Sequence, residues 1–217
     1  MKKILTKLTE NKSVFIFDFD GVIVDSMIAK GNSFANIFNA NKNDKKKILK
    51  YHLINGSKSR IDKIKYIAEK ILNLDNIINK LFIKRKVNEF KKNYYENINS
   101  IKLIDGIDLF LKYIYNNNCK IYIVSAAPKF EISYFLKKFN LISFIHNVYD
   151  SKLTKLDSMN IIIKENNTIK EKCIYFGDSF SDWDLCYNLK IDFCSVLSND
   201  KSGLDRKKSF IKINDFK

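Results

Sequence analysis

The sequence predicts an α/β protein with a doubly wound parallel sheet and a small α-helical domain inserted after the first strand. Residues 13–17 read as a buried strand, because Val14, Ile16 and two phenylalanines leave no polar face. After residue 102, apolar strand-like runs alternate with helical patterns, whereas the stretch from residue 26 to residue 100 contains helical patterns only. Alternating strands and helices imply a parallel sheet.

The first predicted strand leads directly into two carboxylates. It stops at Asp18, and Asp20 and Gly21 follow. The glycine allows the backbone to turn tightly beside the acids. Open α/β sheets bind ligands at the carboxyl edge of their strands, so we expect a functional site at this point.

The next stretch is predicted to be helical. Asp25 and Ser26 resemble a helix N-cap, and Ser59 with Asp62 fits a capping arrangement further on. A polar, Lys-rich break is expected at residues 41–47. The predicted helices cover residues 27–40, 44–53, 59–73 and 75–97. We therefore expect a core domain of residues 1–25 and 101–217 and an inserted domain of residues 26–100.

The remainder of the chain completes the predicted Rossmann-like core. Helices are expected over residues 106–118, 128–139, 155–166 and 181–189. Strands are expected over residues 120–124, 147–149, 173–176 and 192–197, with a weaker strand at residues 209–213.

Composition limits the function classes. The 217 residues carry a net charge of +15, which would suit a polyanion partner, but only three of the 39 basic residues are arginines and the lysines are spread along the chain. We therefore expect no specific nucleic-acid binding. No apolar run reaches the roughly 20 residues that cross a bilayer, and the four cysteines lack metal-ligand spacing. A cytoplasmic protein with reduced thiols and no membrane partner is expected.

Compact polar motifs follow three of the predicted strands. They contain Asp18 and Asp20, then Ser125, then Asp178 with Asp182. Parallel strands bring their carboxyl ends to one edge, so these side chains should share a crevice. Carboxylates crowded there would repel one another without a cation, and an oxygen-only ligand set favours Mg²⁺.

The order of these motifs resembles that of the haloacid dehalogenase-like hydrolases, in particular their capped branch of phosphoglycolate and sugar-phosphate phosphatases. DFDGVIVDS at residues 18–26 is similar to the first motif of the family, Ser125 to the second, and GDSFSD at residues 177–182 to the fourth. The resemblance covers nearly the whole chain. It implies a hydrolase that uses Mg²⁺ and acts on a small phosphorylated metabolite.

The third motif of the family is a lysine, and here the chain departs from the usual pattern. A glycine and a proline usually precede that lysine, whereas this chain reads VYDSKLTKLDSMN and offers both Lys152 and Lys155. We choose Lys155, because it begins a predicted helix and its spacing to Asp178 resembles that of the family. Lys152 remains the alternative.

The resemblance implies a role for each motif residue. Asp18 would be the nucleophile that forms an aspartyl-phosphate, and Asp20 would be the acid and base. Mg²⁺ would be held by Asp18, the backbone carbonyl of Asp20, and Asp178, with Asp182 supporting that shell. The substrate phosphoryl group would be bound by Ser125, the backbone N–H of Ala126, and Lys155.

The inserted domain would act as a cap that selects the substrate. Residues 51–72 are similar to a subgroup of these phosphatases linked to surface-polysaccharide and sugar-precursor metabolism. Arg60 could direct its guanidinium at a substrate carboxylate or second phosphate, or it could pair with a nearby acid on its helix. A phosphomutase and a non-catalytic phosphate-binding protein remain alternative functions.

Overall fold

The computed structural model describes residues 3–56, 58–197 and 211–217. Within these residues the chain forms two compact units. One comprises Met1–Asp25 and Leu103–Lys217, and the other comprises Ser26–Lys102. Each unit is described separately below.

The first unit is built on a parallel sheet, which confirms the predicted fold class. In the described part of the chain the sheet has six strands, in the order β3-β2-β1-β4-β5-β6, and every neighbouring pair is parallel. The strands are β1 Val14–Phe17, β2 Lys120–Val124, β3 Asn147–Tyr149, β4 Cys173–Gly177, β5 Asp192–Val196 and β6 Ile211–Ile213. Residues 209 and 210 of the weakly predicted last strand lie outside the described residues.

The central strands are buried because both faces of the sheet are covered. Every residue of β1 and β4 is buried. On one face, Phe17 and Phe176 stack with their ring centroids 4.7 Å apart, and Phe110 packs against both. On the other face, the sheet packs against the buried side chains of Met159 and other residues from two helices. The apolar composition of these strands follows from this two-sided burial.

The helices of this unit are α1 Lys3–Thr9, α6 Ile107–Asn116, α7 Lys129–Lys138, α8 Lys155–Glu165 and α9 Phe180–Leu189. Phe110 lies on α6, and Met159 lies on α8. Short 3-10 turns occupy Ile142–Phe144 and Lys170–Lys172. Helix α1 was not predicted from the sequence.

The second unit is helical. Its elements are α2 Met27–Asn36, α3 Lys42–Ile54, α4 Arg60–Tyr66, a π-helical turn Ile67–Ile71, a 3-10 turn Asp75–Ile77, α5 Lys80–Glu96 and a 3-10 turn Ile98–Ser100. Phe34 and Phe90 pack with their ring centroids 4.5 Å apart, and Ile48 and Ile64 are also buried in this unit.

Several predicted boundaries in this unit were wrong. The Lys-rich stretch 41–47 is not a break, because the Asn41 side chain accepts the backbone N–H groups of Asn43 and Asp44 and begins α3. The predicted helix over residues 75–97 begins instead at Lys80, because Asn79 caps it. Ser26 precedes α2 but makes no side-chain cap hydrogen bond. The capping arrangement of Ser59 and Asp62 is confirmed.

Two further observations concern the state of the cysteines and the suitability of the helices for a membrane span. The four cysteines are free, and three of them are buried. Among the described helices, none combines the length and the apolar character that a membrane span requires.

Candidate active site

The carboxyl ends of β1, β2 and β4 lie side by side. Phe17, the last residue of β1, pairs with Ile123 of β2 and with Phe176 of β4. The backbone N–H of Asp18 continues this register and donates to the Phe176 carbonyl at 2.9 Å. The residues that follow these strands therefore meet at one edge of the sheet.

Three carboxylates converge at this edge. Asp18, Asp178 and Asp182 each place one oxygen within 4.8 Å of the oxygens of the other two. Burial raises the pKa of Asp18, Lys155 opposes this shift and the charge of Asp182 adds to it, and the net pKa is about 6. Burial also raises the pKa of Asp178 well above its usual value, and the negative charge of Asp18 adds to this effect. The cluster is therefore a site of concentrated, poorly solvated negative charge.

The turn after Asp18 requires glycine. Gly21 has φ +81°, and a Cβ atom at this position would lie 2.3 Å from Asp178 Oδ2. The turn is closed by hydrogen bonds from the Gly21 N–H to the Val24 carbonyl and from the Ile23 N–H to the Phe19 carbonyl, both at 2.9 Å. The backbone at Gly21 and the Asp178 carboxylate thus lie closer together than a residue with a Cβ at position 21 would permit.

Asp20 lies in this turn, close to the acidic cluster. Its side chain is half-buried, and its backbone pairs with that of Val24. The negative charge of Asp20 is among the causes that raise the pKa of Asp178. Asp20 therefore interacts electrostatically with Asp178 of the cluster.

Lys155 lies between two of the carboxylates. Its Nζ donates to Asp18 Oδ2 and to Asp182 Oδ1, each at 2.6 Å. Burial acts to lower the pKa of Lys155, but Asp18 and Asp182 outweigh it and raise this pKa well above the usual value. The ammonium therefore stays charged. Lys155 is the first residue of α8, whose N-cap is Thr154, whereas Lys152 is exposed in the preceding turn.

Asp182 is fully buried and held from several sides. It forms a capping box with Ser179, in which its Oδ2 accepts from the Ser179 N–H at 3.2 Å and from the Ser179 hydroxyl at 2.6 Å. Its Oδ1 accepts from Lys155 and from the Tyr175 hydroxyl. The close approach depends on Gly177, where a Cβ would lie 2.7 Å from the Asp182 Cβ.

The predicted phosphate-binding residues Ser125 and Ala126 follow β2 directly. Ser125 is buried, and its Oγ accepts from the Ala127 N–H at 3.2 Å. Ala126 is half-buried. The register of β1 and β2 places this loop at the same edge as Asp18.

Arg60 belongs to the other unit, as the first residue of α4. Its guanidinium lies over the ring of Phe90, with Cζ 4.3 Å from the centroid. This cation–π contact orients the side chain, and it was not anticipated from the sequence.

Two residues of the site were missed in the sequence. Ser179 and Tyr175 both bond to Asp182, and Tyr175 also contacts Lys155. A signal for Ser179 was available, since Ser179 and Asp182 have the spacing of a capping box. A signal for Tyr175 was also present, because a hydroxyl in a fully buried strand requires a polar partner.

The donor set fits a hard cation. It consists of carboxylate oxygens, which Mg²⁺ prefers. Asp18 and Asp182 share Lys155 as a counter-charge, whereas the Asp178 carboxylate accepts no hydrogen bond from any described residue. Asp178 is half-buried, and a poorly solvated carboxylate without such a partner is costly unless a cation neutralises it. The cluster can therefore hold Mg²⁺ through Asp18 and Asp178.

Comparison with known proteins places this arrangement in a family. The profile of the haloacid dehalogenase-like hydrolases matches residues 15–196. The chain belongs to this family, as its motifs predicted.

Solved structures share the fold at low sequence identity. A predicted phosphoglycolate phosphatase from Haemophilus somnus superposes with a TM-score of 0.78 at 13% identity, covering 95% of each chain. β-Phosphoglucomutase from Clostridium difficile gives 0.76 at 19% identity, covering 94% of this chain and 92% of that one. CbbY from Rhodobacter sphaeroides, in complex with phosphate, gives 0.77 at 9% identity, covering 94% and 95%. A comparison with curated proteins found no significant match.

Proposed function

We propose that this protein is a Mg²⁺-dependent phosphatase that hydrolyses a small phosphorylated metabolite, such as a sugar phosphate or a related phosphomonoester. The observation that carries the proposal is the Asp18 carboxylate, which lies at the end of β1 with Lys155 2.6 Å away and Asp178 in the same acidic cluster. The family match and the similarity to structures described as phosphatases support it.

Asp18 is the proposed nucleophile. An oxygen of its carboxylate forms a bond to phosphorus while the bond from phosphorus to the leaving oxygen breaks, which gives an aspartyl-phosphate. Water then attacks this phosphorus and releases phosphate and the free carboxylate. The backbone N–H of Phe19 donates to Asp18 Oδ1 at 2.6 Å and fixes the orientation of the carboxylate.

Asp20 is the proposed acid and base. It gives a proton to the leaving oxygen in the first step and removes a proton from the attacking water in the second. Its position suits this role, because the turn at Gly21 keeps it beside the cluster while its side chain stays half-buried and open to proton exchange.

Three groups are proposed to bind the phosphoryl oxygens. They are the Ser125 hydroxyl, the backbone N–H of Ala126, and the Lys155 ammonium. Lys155 is already charged and directed at Asp18, so it can stabilise negative charge that develops during transfer.

Asp18, Asp178 and the backbone carbonyl of Asp20 are the proposed ligands of Mg²⁺, with Asp182 supporting them. When bound, the cation supplies charge neutralisation that allows a carboxylate to approach a phosphate dianion. Asp182 suits a supporting role, because both of its oxygens already accept hydrogen bonds.

Residues 26–100 are proposed to select the substrate. Arg60 is the candidate for recognising a second anionic group, since Phe90 orients its guanidinium. Replacing Arg60 with Lys keeps the charge but loses the planar fork, so it should raise KM for substrates with a second anionic group and leave para-nitrophenyl phosphate unaffected.

The decisive experiment measures phosphate release from a panel of phosphorylated sugars, phosphoglycolate and nucleotides, with and without Mg²⁺. Release should require Mg²⁺, and Asp18→Asn should abolish it while the circular dichroism spectrum stays unchanged. Full activity of Asp18→Asn would contradict the mechanism. Phosphate binding by the wild type without turnover would instead support a non-catalytic role.

Lys155 and Lys152 provide a matched pair for the phosphate-binding lysine. Lys155→Ala should lower kcat/KM by at least about 100-fold, because it removes a charged donor beside Asp18. Lys152→Ala should change it less than twofold, since this side chain is exposed. Equal, mild effects would mean that neither lysine binds the phosphoryl group.

A phosphomutase is the second candidate function, and the structural similarity to β-phosphoglucomutase supports it as an alternative. Phosphorus NMR of the protein with β-glucose 1-phosphate distinguishes the two functions. A phosphatase produces inorganic phosphate, whereas a mutase produces the 6-phosphate.

A further inference from the structure

The Tyr175 hydroxyl is a buried polar group in an otherwise apolar strand. Tyr175 is the third residue of β4 and is fully buried. Its hydroxyl oxygen lies 3.2 Å from Lys155 Nζ, 3.2 Å from Asp182 Oδ1 and 3.4 Å from the Val124 carbonyl. It therefore connects α8, α9 and the end of β2.

The hydrogen bonds of this group can be assigned by counting donors. The Lys155 ammonium has three N–H donors and three acceptors within reach, namely Asp18, Asp182 and Tyr175. Because the tyrosine oxygen accepts from Lys155, its own proton is available for Asp182 or Val124. Each donor of Lys155 thus has a defined direction, and Tyr175 defines one of them.

We propose that Tyr175 is a positioning residue for the reaction at Asp18, because its hydroxyl holds the Lys155 ammonium and the Asp182 carboxylate in one arrangement. The inference rests on the proposed function. Burial and the charge of Asp182 raise the pKa of Tyr175 well above its usual value, so the hydroxyl keeps its proton. Without this oxygen, a buried N–H of Lys155 loses its acceptor and the ammonium can turn away from Asp18.

The test compares two buried tyrosines on β4 and β2, the strands that flank β1. Tyr175→Phe removes only the hydroxyl and should lower kcat about tenfold, with the melting temperature measured alongside. Tyr122→Phe is the control, because Tyr122 of β2 is also buried but its hydroxyl pairs with the Asn166 side chain. It should leave kcat within twofold of the wild type. Equal kcat in Tyr175→Phe and the wild type would overturn the inference.

A double-mutant cycle distinguishes positioning from a general loss of structure. If Tyr175 acts through Lys155, Tyr175→Phe should change kcat less than twofold in the Lys155→Ala background. A tenfold loss in both backgrounds would contradict positioning. If turnover of Lys155→Ala is too low to measure, the dissociation constant of inorganic phosphate from calorimetry serves for the same cycle. A wild type without Mg²⁺-dependent activity would contradict the proposed function, and this inference with it.

Discussion

Gly21→Ala should have two effects: backbone strain that lowers the stability of the protein, and a displacement of Asp178 that lowers the reaction rate. A residue with a Cβ at φ +81° loses about 1–2 kcal/mol relative to glycine. In a chain of this length, that loss lowers the melting temperature by roughly 2–8 °C. In addition, the new Cβ would lie 2.3 Å from Asp178 Oδ2, so the carboxylate must move by about 1 Å to reach van der Waals distance. A displacement of about 1 Å in an active site can reduce the rate by about 100-fold.

Gly106 provides the matched control for this substitution. It has φ +78°, and its added Cβ would meet the backbone of Phe216 at 2.7 Å rather than a carboxylate. Both variants should therefore lose stability in thermal denaturation. Only Gly21→Ala should lower kcat by about 100-fold and raise the Mg²⁺ concentration that gives half-maximal activity. Unchanged kcat and Mg²⁺ dependence in a folded Gly21→Ala protein would refute the reasoning.

Three further predictions concern the charges and the helix that carry the site. First, the folded pKa of Asp18, about 6, lies above the unfolded value of 3.8, so this group should make the metal-free protein less stable as the pH rises from about 4 to 6. Asp18→Asn should remove this dependence and stabilise the protein at pH 7 by up to about 3 kcal/mol in urea denaturation with EDTA; lower stability at pH 7 would contradict the sign. Second, Mg²⁺ at about 100 times its dissociation constant should add about 2.7 kcal/mol and raise the melting temperature by about 5–10 °C. Asp178→Asn should remove most of this shift, and an undiminished shift would place the cation elsewhere. Third, Thr154 caps α8 by accepting the Asp157 N–H at 3.1 Å, so Thr154→Ala should cost about 1 kcal/mol and raise KM, because Lys155 begins that helix. A lower melting temperature with unchanged KM would mean that the cap does not position Lys155.

The strands were predictable because burial on both faces leaves a clear signal. The bounds of β2 and β3 coincide with the predicted ones, and β1, β4 and β5 differ by one residue at one end. Helix ends were harder, because they depend on which polar side chain captures free N–H groups. Asn79 and Asn41 each do so with other asparagines close by in the sequence, Asn76 for the first and Asn39 and Asn43 for the second, and composition alone does not distinguish the capping asparagine from these neighbours.

The composition of the site was predictable to the level of motifs, but its contacts were not. Parallel strands place their carboxyl ends at one edge of the sheet, which explains why Asp18 and Asp178 were expected there. The contact of Lys155 with both Asp18 and Asp182 depends on where α8 and α9 begin, to within one residue. The role of Tyr175 depends on side-chain direction across the sheet, which an apolar run does not reveal.

The packing beneath the site explains how the carboxylates are held together despite their repulsion. Phe17 and Phe176 are paired in register and stacked at 4.7 Å, and Asp18 and Asp178 follow them within two residues. Moving the two carboxylates apart would therefore disrupt this buried aromatic stack, at a cost in packing energy. The apolar core holds the negative charges at close range, so the fold cannot relax to reduce their repulsion. Binding of a cation reduces this repulsion and is favourable for that reason. The clustered negative charge that raises the pKa values of Asp18 and Asp178 therefore has two opposite effects: it lowers the stability of the metal-free protein and increases its affinity for Mg²⁺.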